Sequence, residues 1–280
     1  MWWDAGMTLF AGRARQNLVR WLRRGDVRLL LPADPGPERM LECVRLFSPY
    51  ARPGPRGSIN ADGVNEIYLS RGYPVEPDVA DEVGIPAGLG AAFFVTKTTR
   101  AQPYNWSDIH RKDSEQADAS FRLVNGLAVR LGGLAHPAAP VLDEPLEARV
   151  YTEKAVAPEA VRDAVARFAS GLAPYHHVTL ASMGVSAWRT PDGGLQAEFW
   201  PAGAAVLMPR DMPLALDEYD ALPSELSAIR LEVSTPAGKT DPGTARLLGE
   251  CALDLAGGVG GLCADQLGFI VTRPEDLVFG

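Results

Sequence analysis

The sequence predicts an α+β protein built from two tandem copies of one unit behind an N-terminal amphipathic helix. Three observations predict it. Two eleven-residue segments match across the halves, each half carries a later helix followed by tandem glycines, and the centre of each half is rich in strand-forming residues.

In residues 1–26, Met7, Phe10, Ala14, Leu18 and Trp21 recur at spacings of three and four, which is the period of a helix with one apolar face. Five arginines and two acids give this segment a net charge of +3. A cationic amphipathic helix with tryptophans has two fates, docking on its own protein or lying on a membrane surface. Docking is the reading taken here, because Gly25-Asp26 leads into a strand with no linker.

Residues 27–136 form the first copy and residues 146–280 the second, with the Pro- and Ala-rich, aperiodic stretch 137–145 as linker. Residues 37–47 read PERMLECVRLF and residues 158–168 read PEAVRDAVARF; at an offset of 121, seven of the eleven positions agree in type. Proline at the first helical position loses no needed hydrogen bond, and the glutamate beside it meets the positive end of the helix dipole. Met40, Val44 and Phe47 fall on one helical face, as do Val161, Val165 and Phe168. Each segment follows a strand-like run, Arg28–Leu31 and Arg149–Thr152, and precedes a Pro-Tyr pair, Pro49-Tyr50 and Pro174-Tyr175.

The centre of the first copy offers the strand Asn65–Ser70. The centre of the second offers Val178–Trp188 and Leu195–Trp200, joined by Pro191-Asp192-Gly193-Gly194, a hairpin signal. Strands at Ala92–Lys97 and Ile229–Val233 then lead to the second helices. One begins near Asp113 and ends at Gly132-Gly133; the other begins with Asp241 as N-cap before Pro242 and ends at Gly257-Gly258. The closing strands are Leu134–His136 and Leu262–Ala264. This order resembles a ferredoxin-like unit with an added strand, which implies helices on one face of a largely antiparallel sheet.

Composition narrows the function. The chain carries 27 Lys+Arg and 35 Asp+Glu, a net charge of −8, so the part outside residues 1–26 stands at −11. An acidic body predicts no specific nucleic-acid binding. Three cysteines without CxxC spacing predict buried thiols in a reducing compartment, not a disulfide framework. Met1-Trp2-Trp3-Asp4 lacks the basic start of a secretory leader, so a cytoplasmic location is expected. The Ala, Gly, Arg and Pro content points to a bacterial source with a GC-rich genome.

No P-loop, nucleophile elbow or HExxH motif occurs in the sequence, and no cofactor is expected. The four histidines, His110, His136, His176 and His177, lack zinc-site spacing, and no metal is expected. Neighbouring residues on a strand face opposite ways, so a His176-His177 pair opening a strand would not chelate one ion. The loop from Trp106 to Ser114 gathers an aromatic, a histidine, acids and bases, and Trp106, Asp108, His110 and Arg111 are its candidate binding residues. His176 joins them, as do Asp217, Glu218 and Asp220 in an acidic, Pro-rich loop suited to a basic partner. The expected function is a non-enzymatic, adaptor- or immunity-like binding protein engaging another protein through its acidic surface. The alternatives are an enzyme or small-ligand protein with a pocket between the halves and, below it, an RNA-processing protein with tandem ferredoxin-like units.

Overall fold

The computed structural model describes residues 15–23, 27–62, 67–97, 119–136, 143–204 and 225–277. The chain divides into two compact units, Met1–Ala139 and Pro140–Gly280. Each is α+β, with an antiparallel sheet and interspersed helices.

The first unit runs α1 (residues 15–23), β1 (Arg28–Leu31), α2 (Pro37–Arg45), β2 (Arg52–Pro53), β3 (Ile59–Asp62), β4 (Ile67–Leu69), β5 (Tyr73–Pro74), α3 (Pro77–Val83), β6 (Ala91–Lys97), α4 (residues 119–130) and β7 (Leu134–His136). Its sheet order is β2-β3-β4-β6-β1-β7, with β5 also paired to β6. The second unit runs β8 (Pro145–Thr152), α5 (Pro158–Val165), β9 (Ala173–Pro174), α6 (Val178–Ser182), β10 (Ser186–Arg189), β11 (Leu195–Trp200), β12 (Ser227–Pro236), α7 (Pro242–Val259) and β13 (Leu262–Asp265). Its sheet order is β13-β8-β12-β11-β10-β9.

Read from the other end, the first order is β7-β1-β6-β4-β3-β2, the same path through elements in equivalent chain positions. The registers coincide too. Leu30 faces Leu134 and Ala92, and Tyr151, 121 residues after Leu30, faces Leu262 and Ala228. Arg52-Pro53 and Ala173-Pro174 form the short edge strands β2 and β9, again at an offset of 121. This corrects the Pro-Tyr correspondence: Pro174 is matched by Pro53, and Pro49-Tyr50 lie in the turn before β2.

Both second helices end alike. Gly132 (φ 65°) and Gly260 (φ 63°) take the left-handed conformation. The next N–H, of Gly133 or Gly261, returns to the carbonyl of Ala128 or Ala256. A Cβ on Gly133 would overlap the Leu30 carbonyl, and one on Gly261 the Tyr151 carbonyl. The tandem glycines equivalent to 132–133 are therefore 260–261, and α7 runs straight through Gly257-Gly258 to Val259. Its start is as expected: the Asp241 carboxylate accepts the Thr244 N–H at 3.0 Å with Pro242 in the first turn.

The strand expected over Val178–Trp188 divides into helix α6, a turn with Gly184 at positive φ, and strand β10. The hairpin β10–β11 matches expectation, with Arg189 opposite Gln196. Residues Asn65 and Glu66 of the expected strand lie outside the described residues.

Helix α1 docks on the first unit. Leu18, Val19 and Leu22 are buried with Leu30, Ala92 and Phe94 of the sheet and Val79 and Ala80 of α3. Trp21 remains 37% exposed, yet its ring meets those of Tyr73 and Phe94 edge-on, each at 5.6 Å. Arg15 pairs with Asp78 (2.9 Å) and Arg23 with Glu82 (3.1 Å), so the basic helix lies on the acidic α3. Met7, Phe10 and Ala14 lie outside the described residues. No described helix is long and apolar enough to cross a membrane.

In the second unit the helix-facing side of the sheet presents Leu146, Ala148, Val150, Ala197, Phe199, Ile229 and Leu231 to Val161 and Val165 of α5 and to Leu248, Ala252 and Leu255 of α7. Strand alternation sends Glu147, Arg149, Tyr151, Glu198, Trp200, Arg230 and Glu232 to the opposite face.

Candidate functional site

Three places in the described structure carry chemistry: the histidine loop before α6, an ionic lattice on the second sheet, and a groove beside the β10–β11 hairpin.

His176 and His177 are exposed. They open helix α6, with His177 as its N-cap, which corrects the expectation that the pair opens a strand. Tyr175 stands before them, its ring centroid 6.4 Å from that of His177 and 5.7 Å below the Arg189 guanidinium. His136 lies opposite Arg28 between β7 and β1, and burial together with that guanidinium holds its imidazole below the ordinary value. Trp106, Asp108, His110, Arg111, Asp217, Glu218 and Asp220 lie outside the described residues. Among the described residues no group of His, Cys, Asp and Glu is placed to hold a metal ion.

The three thiols are free and buried. Burial pushes Cys43 up, Cys251 up to about 12, and Cys263 higher still. All three are protonated at neutral pH and behave as small core side chains.

The ionic lattice gathers buried charged residues of the second sheet. Glu147, Arg149 and Glu198 are 1–3% exposed. The strand register puts like charges directly opposite, Glu147 to Glu232 and Arg149 to Arg230, an arrangement that repels. The side chains resolve it by reaching diagonally and along their own strands. Arg230 donates to Glu147 at 2.7 Å and also pairs with Glu232, while Arg149 pairs with Glu147. Glu198 lies 3.6 Å from Arg230 and accepts from Gln196 (2.6 Å) and the Trp200 indole N–H (2.8 Å). Gln266 Oε1 accepts the Glu147 N–H at 3.0 Å. Burial opposes the charge on both arginines, but their partners outweigh it. Tyr151 and Glu147 raise Arg149; Glu147, Glu232 and Glu198 raise Arg230. Such a lattice holds its members in one arrangement, and its hydrogen-bonding capacity is directed inward.

The groove lies wholly within the second unit and has a volume of about 670 Å³. That is the size range of ligand sites. Phe168, Leu195, Val233, Leu248 and Cys251 make its apolar side; Thr190, Asp192, Thr235 and Thr244 make its polar side. Leu247 stands at the groove 46% exposed. Asp192 is its one charged lining residue among those described. The Thr190 hydroxyl (2.6 Å) and the Gly194 N–H (3.0 Å) both donate to Asp192 Oδ1 and hold the carboxyl below its usual range. Oδ2 receives no hydrogen bond from the described residues. Arg189 on the same hairpin is turned aside, over Tyr175 and toward the Gly193 carbonyl.

Sequence reasoning did not reach the lattice or the groove. The lattice does have a signal: Glu-x-Arg at 147–149 and Arg-x-Glu at 230–232, within otherwise apolar strands that pair antiparallel. The groove joins the turn after α5, the β10–β11 hairpin, β12 and α7; the sequence marks several of these pieces singly but not their meeting.

No protein-family model, curated protein or solved structure matches the chain.

Proposed function

We propose that the chain is a non-enzymatic interaction protein, adaptor- or immunity-like, that engages another protein of a bacterial cytoplasm through acidic surface. The observation that carries this reading is the groove of the second unit, where an open apolar lining and the exposed Leu247 stand beside one carboxylate with an oxygen to spare. Apolar contact with polar groups at its rim is the chemistry of protein recognition. The charge of −11 outside residues 1–26 supports a basic partner, with the acids Asp217, Glu218 and Asp220 contributing to its approach. The buried ionisable groups of the second sheet support a scaffolding role for that face, since they are directed to one another.

The two units are further inferred to be copies of one ferredoxin-like ancestor with added edge strands. Shared strand order, coincident register and the paired glycine stops support this.

The test is kinetic. The partner is captured from the native bacterial host, expressed alone, and its association with the full chain is followed at low and high salt. A stoichiometric complex whose association slows with salt is the expected result. Turnover of a small molecule that disappears in His110→Ala or His176→Ala would overturn the reading.

A further inference from the structure

The internal repeat shows what covers this place in the other unit. Aligning the paired glycines 132–133 with 260–261 sets α4 on α7 at an offset of 128, so Arg122 corresponds to Glu250 and Leu123 to Cys251. Phe47 and Phe168 close the matched eleven-residue segments, just past the ends of α2 and α5, at an offset of 121. In the first unit Phe47 is fully buried, and the Arg122 guanidinium stands 5.8 Å over its ring. In the second unit Phe168 is half-buried and lines the groove. The residue in the place of Arg122 is an acid, Glu250, and it accepts from Arg246 on its own helix at 3.1 Å. Cys251 in place of Leu123 removes volume from the same wall. Among the described residues no cation stands over the Phe168 ring, and the charged residue that lines the groove with it is an acid, Asp192.

We propose that the groove of the second unit receives a segment of a basic protein partner, in which an Arg or Lys covers Phe168 and pairs with Asp192 while a neighbouring apolar side chain packs on Leu247 and Leu248. The inference rests on the interaction-protein reading above and names the chemistry of its contact. The internal copy supplies the cation-over-ring geometry, and the sign of the lining charge selects a base over an acid. Leu247, more exposed than a core leucine, gives the apolar neighbour its contact.

The probes are three defined compounds titrated into the full-length protein and followed by amide NMR: the tripeptide amide Leu-Arg-Leu, its counterpart Leu-Glu-Leu, and hexylamine. Leu-Arg-Leu is expected to shift the amides of residues 168–171, 190–195 and 244–251, and Leu-Glu-Leu to leave them unchanged. Asp192→Asn and Phe168→Leu are each expected to weaken Leu-Arg-Leu about threefold, the scale of one exposed charge or cation–π contact. Asp192→Asn removes the charge at nearly constant shape and Phe168→Leu removes the ring while keeping an apolar side chain, and an unchanged amide spectrum elsewhere verifies folding. Absence of shifts at these residues, or equal shifts from Leu-Glu-Leu, overturns the proposal. Hexylamine binding as tightly as the tripeptide also overturns it, in favour of a small-amine site. If the groove fails to respond while the captured partner still associates, this inference alone fails. If no partner associates and a small molecule turns over, the interaction reading fails with it.

Discussion

The two units share a backbone plan and differ in what stands on the sheet face away from their matched helices. In the first unit that face carries Leu30, Ala92 and Phe94, covered by α1 and α3. In the second the same register positions are Tyr151, Ala228 and Arg230. Tyr151 and Ala228 pack with Trp200, Leu226 and Ala264 and against Leu180 of α6. Beside that cluster Glu147 pairs with Arg149 and Arg230, and Glu198 lies 3.6 Å from Arg230. The helix-facing side is apolar in both, Leu29 and Phe93 in one and Val150 and Ile229 in the other. Strand alternation explains this freedom. One face must bury the helices, while the other is sealed by apolar elements throughout, as in the first unit, or by an apolar cluster together with a satisfied polar lattice, as in the second. The first unit uses two helices absent from the described part of the second.

The comparison breaks most easily at Glu147. Glu147→Ala removes a shared partner of Arg149 and Arg230 and leaves buried charge uncompensated, a loss of about 3–5 kcal/mol expected in thermal or denaturant unfolding. A loss under about 1 kcal/mol would mean that the lattice contributes little to holding that face. The first-unit counterpart is Leu22→Ala, which opens a cavity where α1 meets the sheet. It is expected to cost about 2–4 kcal/mol by the same measurement. Arg15→Ala, which removes only exposed ion pairs, is expected to leave unfolding unchanged. Together the two variants separate apolar docking of α1 from electrostatic docking.

A smaller effect sharpens the C-terminal edge of the second unit, where segment 269–271 covers β13 through the bonds Asp265 N–H to the Phe269 carbonyl and Val271 N–H to the Cys263 carbonyl. Asp276 anchors that segment. Burial pushes its carboxyl up, but the N–H groups of Thr272 and Arg273 and the Thr272 hydroxyl outweigh it and hold it below the usual range. A carboxyl depressed in the folded state stabilises the fold above its ordinary value near 3.9, and that contribution is lost as pH falls through the lower folded value. Asp276→Ala should therefore lower the melting temperature at pH 7, and the gap from wild type should close as the pH falls below the ordinary carboxylate value and through the lower folded one. A gap constant with pH would assign the effect to packing.

Much of this plan is legible in the sequence because it rests on strong local signals. The Pro-Glu starts of α2 and α5, the Asp241-Pro242 start of α7 and the Asp-Gly hairpin each have a local cause. What was missed has weak local signals. β2, β5 and β9 are two residues long, too short for alternation to register. Helix α3 is seven residues with two buried, so its apolar period barely appears. Val178-Thr179-Leu180 favours a strand by propensity, yet these residues form α6, an instance of tertiary context overriding a weak preference. Gly257-Gly258 reads as a helix stop but lies in the last turns of α7, where neither glycine would meet another atom with an added Cβ. The lattice depends on pairing between distant strands, and the groove on the meeting of segments far apart in the chain.

We propose above that the chain recognises a basic protein through acidic surface. The measurement that tests it most directly is the association rate with the captured partner at low salt, for wild type and for the variant Asp217→Asn, Glu218→Gln, Asp220→Asn. The account predicts an association rate about tenfold lower for the variant at low salt, a difference that closes as salt rises, and an unchanged melting temperature. Equal association rates at low salt, with the wild-type rate indifferent to ionic strength, would contradict it.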